Sequence, residues 1–238
     1  MQSVSSQHIQ LLIGVEFFKG VNEEELRDIL SHAFIKTYEK DASLFFQGDP
    51  ASAFYVIVEG RVKLTQLNEE GEQIIHHYPG VGEAFGIIAV LRQVDYPVAA
   101  QAVGKTKLLM WTEKASKRIL FEHPQLGLNS IRLLSKYIID FQDRIKELST
   151  ERVERRIART LLRIADQGGK KVDDGIKIDW KLTRQDIAEM SGTTLYSVSR
   201  IISQWERDGV VDCSTSLILI KKHHHLMEIA ETKGKQKK

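Results

Sequence analysis

Side chains that could read DNA bases are concentrated between residues 193 and 200 of the sequence. An arginine can bind the edge of a guanine through two hydrogen bonds, which makes Arg200 the strongest candidate for a base contact. An isolated arginine is more often a solvated helix charge, so this interpretation depends on the elements that hold the segment. The predicted DNA contacts are Thr193, Thr194, Tyr196, Ser197, Ser199 and Arg200.

The spacing of three residues predicts a helix-turn-helix around this segment. Ala188, Gly192 and Val198 occupy the fifth, ninth and fifteenth places of one twenty-residue window. The motif needs a small residue where its helices cross, a glycine where the turn adopts positive φ, and a β-branched residue that packs the second helix onto the first. Thr183 followed by Asp186 predicts the N-cap of the first helix. The N-terminal half of the second helix would then enter the major groove.

The second helix is predicted to be amphipathic. Thr193 or Thr194 should cap its start, and Asp208-Gly209 should end it. Arg200 lies on the polar side, opposite a stripe of apolar residues that recur at spacings of three, four and three. The residues of this stripe, predicted to face inward, are Leu195, Val198, Ile202 and Trp205.

The segment VVDCSTSLILIKK, which follows Gly209, predicts a β-hairpin. Two β-prone runs flank the turn-forming residues 212–216. A hairpin directly after the recognition helix makes a winged helix-turn-helix. Lys221, together with Lys222, is predicted to contact the phosphate backbone, which sets affinity and register rather than sequence preference.

Charge is distributed unevenly along the 238 residues. Residues 1–149 contain 16 Lys and Arg against 19 Asp and Glu, whereas residues 150–238 contain 18 against 13. The basic part coincides with the helix-turn-helix, as phosphate binding requires. A row of arginines between Arg152 and Arg163 predicts a basic helix before it. The final KGKQKK either adds non-specific DNA affinity or is only a solubilising end.

Composition excludes several classes of protein. The single cysteine, Cys213, rules out an internal disulfide, a multi-cysteine metal site and an iron–sulfur cluster. No apolar run reaches the eighteen residues that a membrane span needs, and the N-terminus does not resemble a secretory signal, so we expect a cytoplasmic protein without a membrane partner. The sequence contains no nucleophile–base grouping and no phosphate-cradling loop, so we do not expect an enzyme. We expect the row His223–His225 to be a solvated tail rather than a metal site.

The first half of the chain predicts helices followed by a β-roll. Residues 7–34 are expected to be helical, with a capped start at Asn22. From about residue 35 to 112, short β-prone runs are separated by glycines, as in a β-roll or jelly roll. Asn68 to Gly71 is the expected tip of one hairpin. The overall fold class is α+β.

A heptad pattern follows the β-rich region and predicts a dimerisation helix over residues 124–149. A twofold DNA-binding dimer needs such an element, because its two recognition helices must be held about 34 Å apart. The alternative is a single helix packed on its own domain. Ser149-Thr150 is expected to interrupt the helix as a hinge. The predicted dimer seam consists of Ile131, Leu134, Ile138, Phe141, Ile145 and Leu148.

This order of elements resembles the Crp/Fnr superfamily of bacterial transcription regulators. FFQGDPASAFYVIVEGRVKL is similar to the superfamily's β-roll motif, and LTRQDIAEMSGTTLYSVSRIISQWERDG is similar to its DNA-binding motif. The recognition helix is most similar to the nitrogen-oxide-responsive branch. The resemblance implies a β-roll sensor domain over residues 1–122, a dimerisation helix over 123–149 and a winged helix-turn-helix over 150–238. It also implies a homodimer that binds a palindromic operator and works with RNA polymerase.

The chain departs from the members that bind cyclic nucleotides. Those members carry a Gly-Glu pair for the ribose and, further along, an Arg-Ser pair for the phosphate. Here Gly86 is followed by Ile87, and Pro97-Val98 stands at the later pair. A cyclic phosphate needs a positive partner or several donors, so we expect no binding of cyclic AMP. In the recognition helix, many members carry Glu at the position of Tyr196, so the operator should differ from the best-known sites.

The remaining pocket is expected to be apolar and to suit a small apolar ligand or a haem better than a nucleotide. One of the paired histidines on a predicted strand should face inward. The resemblance implies sensing of nitric oxide or a redox signal through haem. Three alternatives stay open: another small apolar or redox signal, an effector-free regulator controlled by its abundance, and a cyclic-nucleotide-type module that acts by protein contact. The predicted pocket residues are Ile87, Ile88, Val90, Leu91, Val98, His76 and His77.

Overall fold

Short apolar runs separated by glycine-containing turns form the strands of the N-terminal part of the chain, as the sequence predicts. The computed structural model describes residues 6–213 and 217–231. Strands β1 to β8 build two four-stranded sheets, with the orders β1-β8-β3-β6 and β2-β7-β4-β5. Their bounds are β1 Phe34–Tyr38, β2 Ser43–Phe45, β3 Ala53–Glu59, β4 Val62–Leu67, β5 Gln73–His77, β6 Ala84–Phe85, β7 Ala99–Ala102 and β8 Thr106–Thr112. The expected β-roll is confirmed.

The predicted hairpin tip at Asn68–Gly71 is present between β4 and β5. The backbone N–H of Glu70 donates to Asn68 Oδ1 at 3.0 Å, and that of Gly71 donates to Asn68 O at 3.1 Å. Gly71 adopts a φ of +82°, which a glycine reaches without steric cost.

Helices cover one side of the roll with a shared apolar core. In α2 the capping box of Asn22 and Glu25 fixes the helix start, as predicted. Leu26, Ile29 and Leu30 are fully buried, and the indole N–H of Trp111 donates to Ile29 O at 2.8 Å. The helices of this part are α1 Ser6–Ile13, a 3-10 turn Glu16–Phe18, α2 Glu23–Ser31, α3 Ile87–Arg92 and α4 Glu113–Glu122.

The predicted long helix is present as α5, Pro124–Thr150. The break predicted at Ser149-Thr150 is wrong by two residues, since both belong to α5. Thr150 Oγ1 donates to Lys146 O at 2.8 Å, a contact compatible with the helix. The next helix, α6, begins after Arg152, which has the extended backbone of an N-cap.

The C-terminal part is a winged helix-turn-helix whose sheet has four strands, in the order β11-β12-β10-β9. The hairpin β9–β10 was not predicted. Its loop, Asp173-Asp174, precedes Gly175, which pairs with Val172. The elements are α6 Val153–Gly168, β9 Lys170–Val172, β10 Gly175–Ile178, α7 Arg184–Ser191, α8 Leu195–Arg207, β11 Val211–Asp212, β12 Ile218–Ile220 and α9 His223–Glu231.

The three consecutive histidines belong to a helix, so the expectation of a tail is wrong, although His224 and His225 are exposed to solvent. His223–His225 are the first turn of α9, in which Leu226 and Ala230 are buried. Arg155 of α6 donates from Nη2 to Ala230 O at 3.0 Å, which satisfies a carbonyl near the end of α9. The wing tip at residues 214–216 and the basic end KGKQKK lie outside the described residues.

The chain divides into two compact units. One comprises Met1–Gly71 and His77–Asp140, and the other comprises Glu72–His76 and Phe141–Lys238. Within the part of the chain that the structure describes, no helix is long and apolar enough to cross a bilayer.

Candidate nucleic-acid interface

The turn between α7 and α8 is built by the residues whose spacing predicted it. Thr183 caps α7, where the backbone N–H of Asp186 donates to Thr183 Oγ1 at 3.0 Å and that of Thr183 donates to Asp186 Oδ2 at 2.8 Å. Ala188 is 1% exposed. Gly192 follows with a φ of +59° and a ψ of +48°, the left-handed conformation that a side chain disfavours.

The start of α8 is capped by Thr194, one of the two predicted candidates. The backbone N–H of Ser197 donates to Thr194 Oγ1 at 3.2 Å. The first turn of α8 therefore has a fixed direction and presents further backbone N–H groups, which attract phosphate oxygens. Asp208 and Gly209 end the helix as predicted, with Gly209 at a φ of +66°.

The inward face of α8 differs from the predicted stripe at one position. Val198, Ile202 and Trp205 are buried, but Leu195 is 46% exposed and Ile201 is buried instead. Leu195 is the first residue of α8 and is not among the residues that the helix buries. The prediction that Leu195 faces inward is wrong.

The outward face of α8 carries the predicted base-reading residues. Tyr196 is 77% exposed, and Arg200 is exposed as well. Ser197, Ser199 and Thr193 are partly exposed. Within the described ranges 6–213 and 217–231, Arg200 makes no hydrogen bond or ion pair, so its guanidinium is available to an external acceptor.

The other arginines near this face are used within the protein. Arg184 Nη2 lies 2.9 Å from Glu206 Oε2 and joins the start of α7 to the end of α8. Arg156 of α6 donates to Ser191 O at 3.0 Å and to Gly192 O at 2.9 Å, so it holds the carbonyls of the turn. These residues position the motif, which the sequence alone did not indicate.

The predicted basic helix α6 is mainly an ion-pair scaffold. Arg163 Nη1 donates to both oxygens of Glu147 at 2.7 and 2.8 Å, and Arg159 Nε donates to Glu151 at 3.0 Å. Glu147 is only 7% exposed, so its charge is balanced by the surrounding guanidinium groups. The guanidinium groups of Arg159 and Arg163 are therefore engaged within the protein.

Lys221 follows β12 and is exposed, as a phosphate contact requires. Its Nζ lies 2.8 Å from Asp212 Oδ2 of the paired strand. The hydrogen bond to Asp212 and the charge of that carboxylate raise the pKa of Lys221. A phosphate at this position would compete with Asp212 for the ammonium group.

The residues predicted to line an effector pocket fall into separate clusters. Ile87 and Val90 are buried in the apolar core with Trp111, and Ile88 and Leu91 pack against the same core. Val98 packs instead against a second cluster, which lies between the two sheets and contains Phe45, Tyr55, Phe85 and Tyr96.

The second cluster is filled with stacked aromatic rings. The rings of Phe45 and Tyr96 are parallel within 13°, with centroids 3.7 Å apart, and those of Tyr55 and Phe85 stack at 5.2 Å. The hydroxyl of Tyr96 donates to Ala53 O and accepts from Ala53 N at 3.0 Å. Burial, with the charge of Tyr96 as a smaller cause, raises the pKa of Tyr55.

The two histidines of β5 differ in their surroundings. His76 is exposed, whereas His77 is partly buried, with Nε2 3.3 Å from Glu83 Oε2. Burial alone would raise the pKa of Glu83, but the hydrogen bond and charge of His77 and the N–H of Gly80 lower it overall. Glu83 therefore holds His77 by an ion pair when the imidazole is protonated.

Two family models match the chain in the order of its elements. Residues 35–123 match the cyclic nucleotide-binding domain, and residues 155–229 match the Crp-like helix-turn-helix domain. The global nitrogen regulator of Nostoc sp. strain PCC 7120 is 30% identical over 190 residues, which cover 79% of this chain and 85% of the relative. The cyclic AMP receptor protein of Thermus thermophilus is 26% identical over 217 residues, covering 91% and 97%.

Solved structures show the same fold. The Thermus thermophilus catabolite activator protein is 26% identical, with a TM-score of 0.54 over 90% of this chain and 98% of that one. FixK2 from Bradyrhizobium japonicum is 21% identical, with a TM-score of 0.72 over 85% and 99%. The resemblance to a nitrogen-oxide-responsive branch stays a prediction, because these comparisons do not test it.

Proposed function

The chain belongs to the Crp/Fnr family of transcription regulators, and from this premise we propose that it is a homodimer that binds a palindromic operator sequence-specifically. One observation carries the proposal: α8 begins at a fixed cap and exposes Tyr196 and Arg200, and Arg200 has no partner within the described part of the chain. The buried residues on the opposite face of α8 hold this helix in place.

Base reading is assigned to the N-terminal half of α8. In the major groove Arg200 would donate two hydrogen bonds to a guanine, while Tyr196 and Ser199 would contact neighbouring bases. Ser197, Thr193 and Thr194 lie at the capped start of α8, where hydroxyls and backbone N–H groups suit phosphate oxygens. Lys221 would add a phosphate contact that carries no sequence information.

Dimerisation is assigned to the seam of α5. Each of its six residues is exposed in the single chain, between 37% for Leu134 and 64% for Ile145. An uninterrupted row of exposed aliphatic and aromatic side chains is costly in water, and a second copy of the helix would cover it. We propose the boundaries 1–122, 123–149 and 150–238 for the sensor domain, the dimerisation helix and the DNA-binding domain.

We propose that the signal is not a cyclic nucleotide, although the Thermus thermophilus relative is named for cyclic AMP. Ile87 is apolar and 4% exposed, and neither Pro97 nor Val98 can supply a positive charge. Nitric oxide or a redox signal sensed through haem is the first candidate, with His77 as the partly buried imidazole. Binding of such a signal would shift the population of DNA-competent dimers, which would in turn act on RNA polymerase.

A second candidate is a regulator without an effector, and the aromatic stack of Phe45, Tyr55, Phe85 and Tyr96 favours it. These rings fill the space between the two sheets, and a haem between the sheets would have to displace them. The amount of protein would then set operator occupancy. A module that acts only by protein contact is less well supported, because the exposed side chains of α8 would then have no role.

Selection of DNA from a random pool by the purified protein tests the proposed function. We expect enrichment of a twofold-symmetric sequence whose half-sites are centred about one helical turn, or 34 Å, apart. Enrichment of an asymmetric sequence would contradict the homodimer, and failure to enrich any sequence would contradict sequence-specific binding. An absorption spectrum of the same preparation distinguishes a haem-based sensor from a regulator without an effector, because only haem gives a Soret band.

A further inference from the structure

A group of metal-ligating side chains lies at the ends of two helices in the N-terminal unit, far from the DNA-binding residues in the sequence. Asp28 and His32 lie one turn apart at the end of α2, and Glu122 is the last residue of α4. One donor atom from each of the three lies within 4.8 Å of the other two. We propose that this cluster binds a divalent first-row transition-metal ion, with zinc as the best-fitting ion.

The imidazole of His32 gives the first argument, because one of its nitrogens lacks a partner. His32 Nε2 is buried and, within the described residues, makes no hydrogen bond. The nearest carboxylate oxygen, Asp28 Oδ1, lies 3.8 Å away, beyond hydrogen-bond distance. A buried nitrogen that points toward carboxylates without bonding to them is suited to a cation between them.

The surroundings of Asp28 give the second argument. His123 Nε2 lies 2.9 Å from Asp28 Oδ2, whereas Oδ1, on the side of His32, makes no hydrogen bond within the described residues. His123 Nδ1 lies 3.8 Å from Glu25, so this imidazole is itself oriented by a carboxylate. Metal-binding carboxylates are commonly fixed by hydrogen bonds of this kind.

Charge gives the third argument. Asp28 and Glu122 contribute two carboxylates to the cluster, and Arg118 contacts one of them, with Nε 3.0 Å from both oxygens of Glu122. A carboxylate offers about four acceptor sites, so this contact leaves room for a metal bond. His32 and His123 are the C-caps of α2 and α4, and helix C-termini carry partial negative charge that favours a cation.

The donor set indicates the class of ion. Imidazole nitrogen with two carboxylate oxygens suits zinc and its neighbours in the first row, whereas magnesium and calcium prefer oxygen alone. Donor atoms on one zinc ion lie about 3.3 Å apart, so these three must move together by about 1 Å. Asp28 and Glu122 are 44% and 39% exposed at the side chain and can make that movement by rotation. Three protein ligands would leave a coordination position for water.

Zinc titration of the full-length protein, after removal of metals with a chelator, tests the site. The exposed His224 and His225 of α9 could also bind zinc, so we use the background His224→Ala/His225→Ala throughout. We expect this background to bind one zinc ion at micromolar concentration and to melt at a higher temperature with zinc than without it. Replacing the ion by cobalt should give visible d–d absorption that includes an imidazole ligand.

Two variants remove ligands, and two others serve as comparisons. His32→Ala and Glu122→Gln should each weaken zinc binding by more than about tenfold, and His123→Ala by about 10- to 100-fold through the orientation of Asp28. Glu24→Gln, at an exposed carboxylate on the same helix, should bind zinc like the background. Glu122→Gln preserves the size of its side chain, so it carries the test if His32→Ala does not fold. Absence of zinc binding in the background, or equal affinity in all variants, would overturn the proposal.

Discussion

Single arginines in the DNA-binding unit fall into two groups that the sequence alone does not separate. Arg156 and Arg163 bind carbonyls and carboxylates of their own unit, so their charges position elements. Arg200 lies on an exposed helix face with no partner in the described ranges, so its donors are available to an external acceptor, which we propose is DNA. Counting basic residues located the correct half of the chain, but only the contacts identify which charges are available.

The variant Arg200→Ala tests whether this single residue reads a base. A bidentate arginine–guanine pair discriminates by roughly 1–3 kcal/mol, so the variant should bind the selected operator about 5- to 150-fold more weakly and lose preference at one base pair per half-site. Arg207→Ala, near the end of the same helix, is the matched control and should retain base preference. Lys221→Ala should weaken binding to all DNA sequences alike. It should also reduce, by about one, the steepness with which the logarithm of the affinity falls with the logarithm of the salt concentration. Titrations of single-base operator variants at several salt concentrations give these quantities. A uniform loss in Arg200→Ala would make this residue a phosphate contact only.

Gly192 tests the turn that orients α8. Its φ of +59° costs an L-residue about 1–2 kcal/mol. A Cβ there would also lie 2.6 Å from Leu148 Cδ2, the movable end of a side chain. Gly192→Ala should therefore lower the free energy of unfolding by about 1–2 kcal/mol, and Gly192→Asn by less, because Asn tolerates this conformation. Gly104→Ala, where no atom lies within 4 Å of the added Cβ, is the control. Denaturant unfolding measures all three, and equal stability of Gly192→Ala and the unmodified protein would contradict the argument.

Helices and strands were predictable where a local pattern sets them. The capped starts at Asn22 and Thr183, the turn at Gly192 and the heptads of α5 all follow from residue types at fixed spacing. One error concerns Leu195, which has the right period but lies at the first position of α8 and is 46% exposed. The hairpin β9–β10 had a turn signal in Asp173-Asp174-Gly175, but its strands are only three and four residues long.

Contacts between residues distant in sequence were not predictable. The ion pairs of α6 with Glu147 and Glu151 depend on the folded unit. The same is true of the packing of α9, the helix that contains the three consecutive histidines. The same holds for the cluster of Asp28, His32 and Glu122, because nothing local relates residue 122 to α2. The proposed DNA contacts could be predicted better, because one helix carries most of them.

Substitutions in the seam of α5 test whether this helix forms the dimer interface. Leu134→Lys/Ile138→Lys would place like charges opposite each other in a dimer, and the protein should become monomeric and lose specific operator binding. Ile139→Lys is a matched control, because Ile139 is 57% exposed in the single chain, like Ile138 at 56%, but lies outside the heptad seam. The control should remain dimeric in sedimentation velocity. If the double variant is still dimeric, the seam of α5 is not the dimer interface.

At the scale of the whole molecule, the two parts of the chain carry different charge and chemistry. Residues 1–149 are acidic in balance and residues 150–238 are basic, as expected when only one part binds DNA. In the acidic part, the space between the sheets is occupied by aromatic rings, and the positions of the nucleotide-binding pairs hold Ile87 and Pro97-Val98. The molecule keeps the family's DNA-binding unit, and we propose that these substitutions prevent its β-roll from binding a cyclic phosphate.

A binding measurement with cyclic AMP tests whether the β-roll lacks a site for the nucleotide. Because Ile87 and Pro97-Val98 offer no positive charge at the two motif positions, we expect the nucleotide at millimolar concentration to give no binding heat in calorimetry and no change in operator affinity. The Thermus thermophilus cyclic AMP receptor protein, measured in parallel, serves as the positive control. Micromolar binding by this chain would show that other residues hold the phosphate.

The stoichiometry and symmetry of the DNA complex test the central claim most directly. Sedimentation equilibrium of the full-length protein with the selected operator should give two chains per duplex. Scrambling one half-site should reduce the affinity to that of non-specific DNA or close to it, typically a loss of about 10³-fold or more. One chain per duplex, with undiminished affinity for a single half-site, would contradict the account of a homodimer that reads a palindrome.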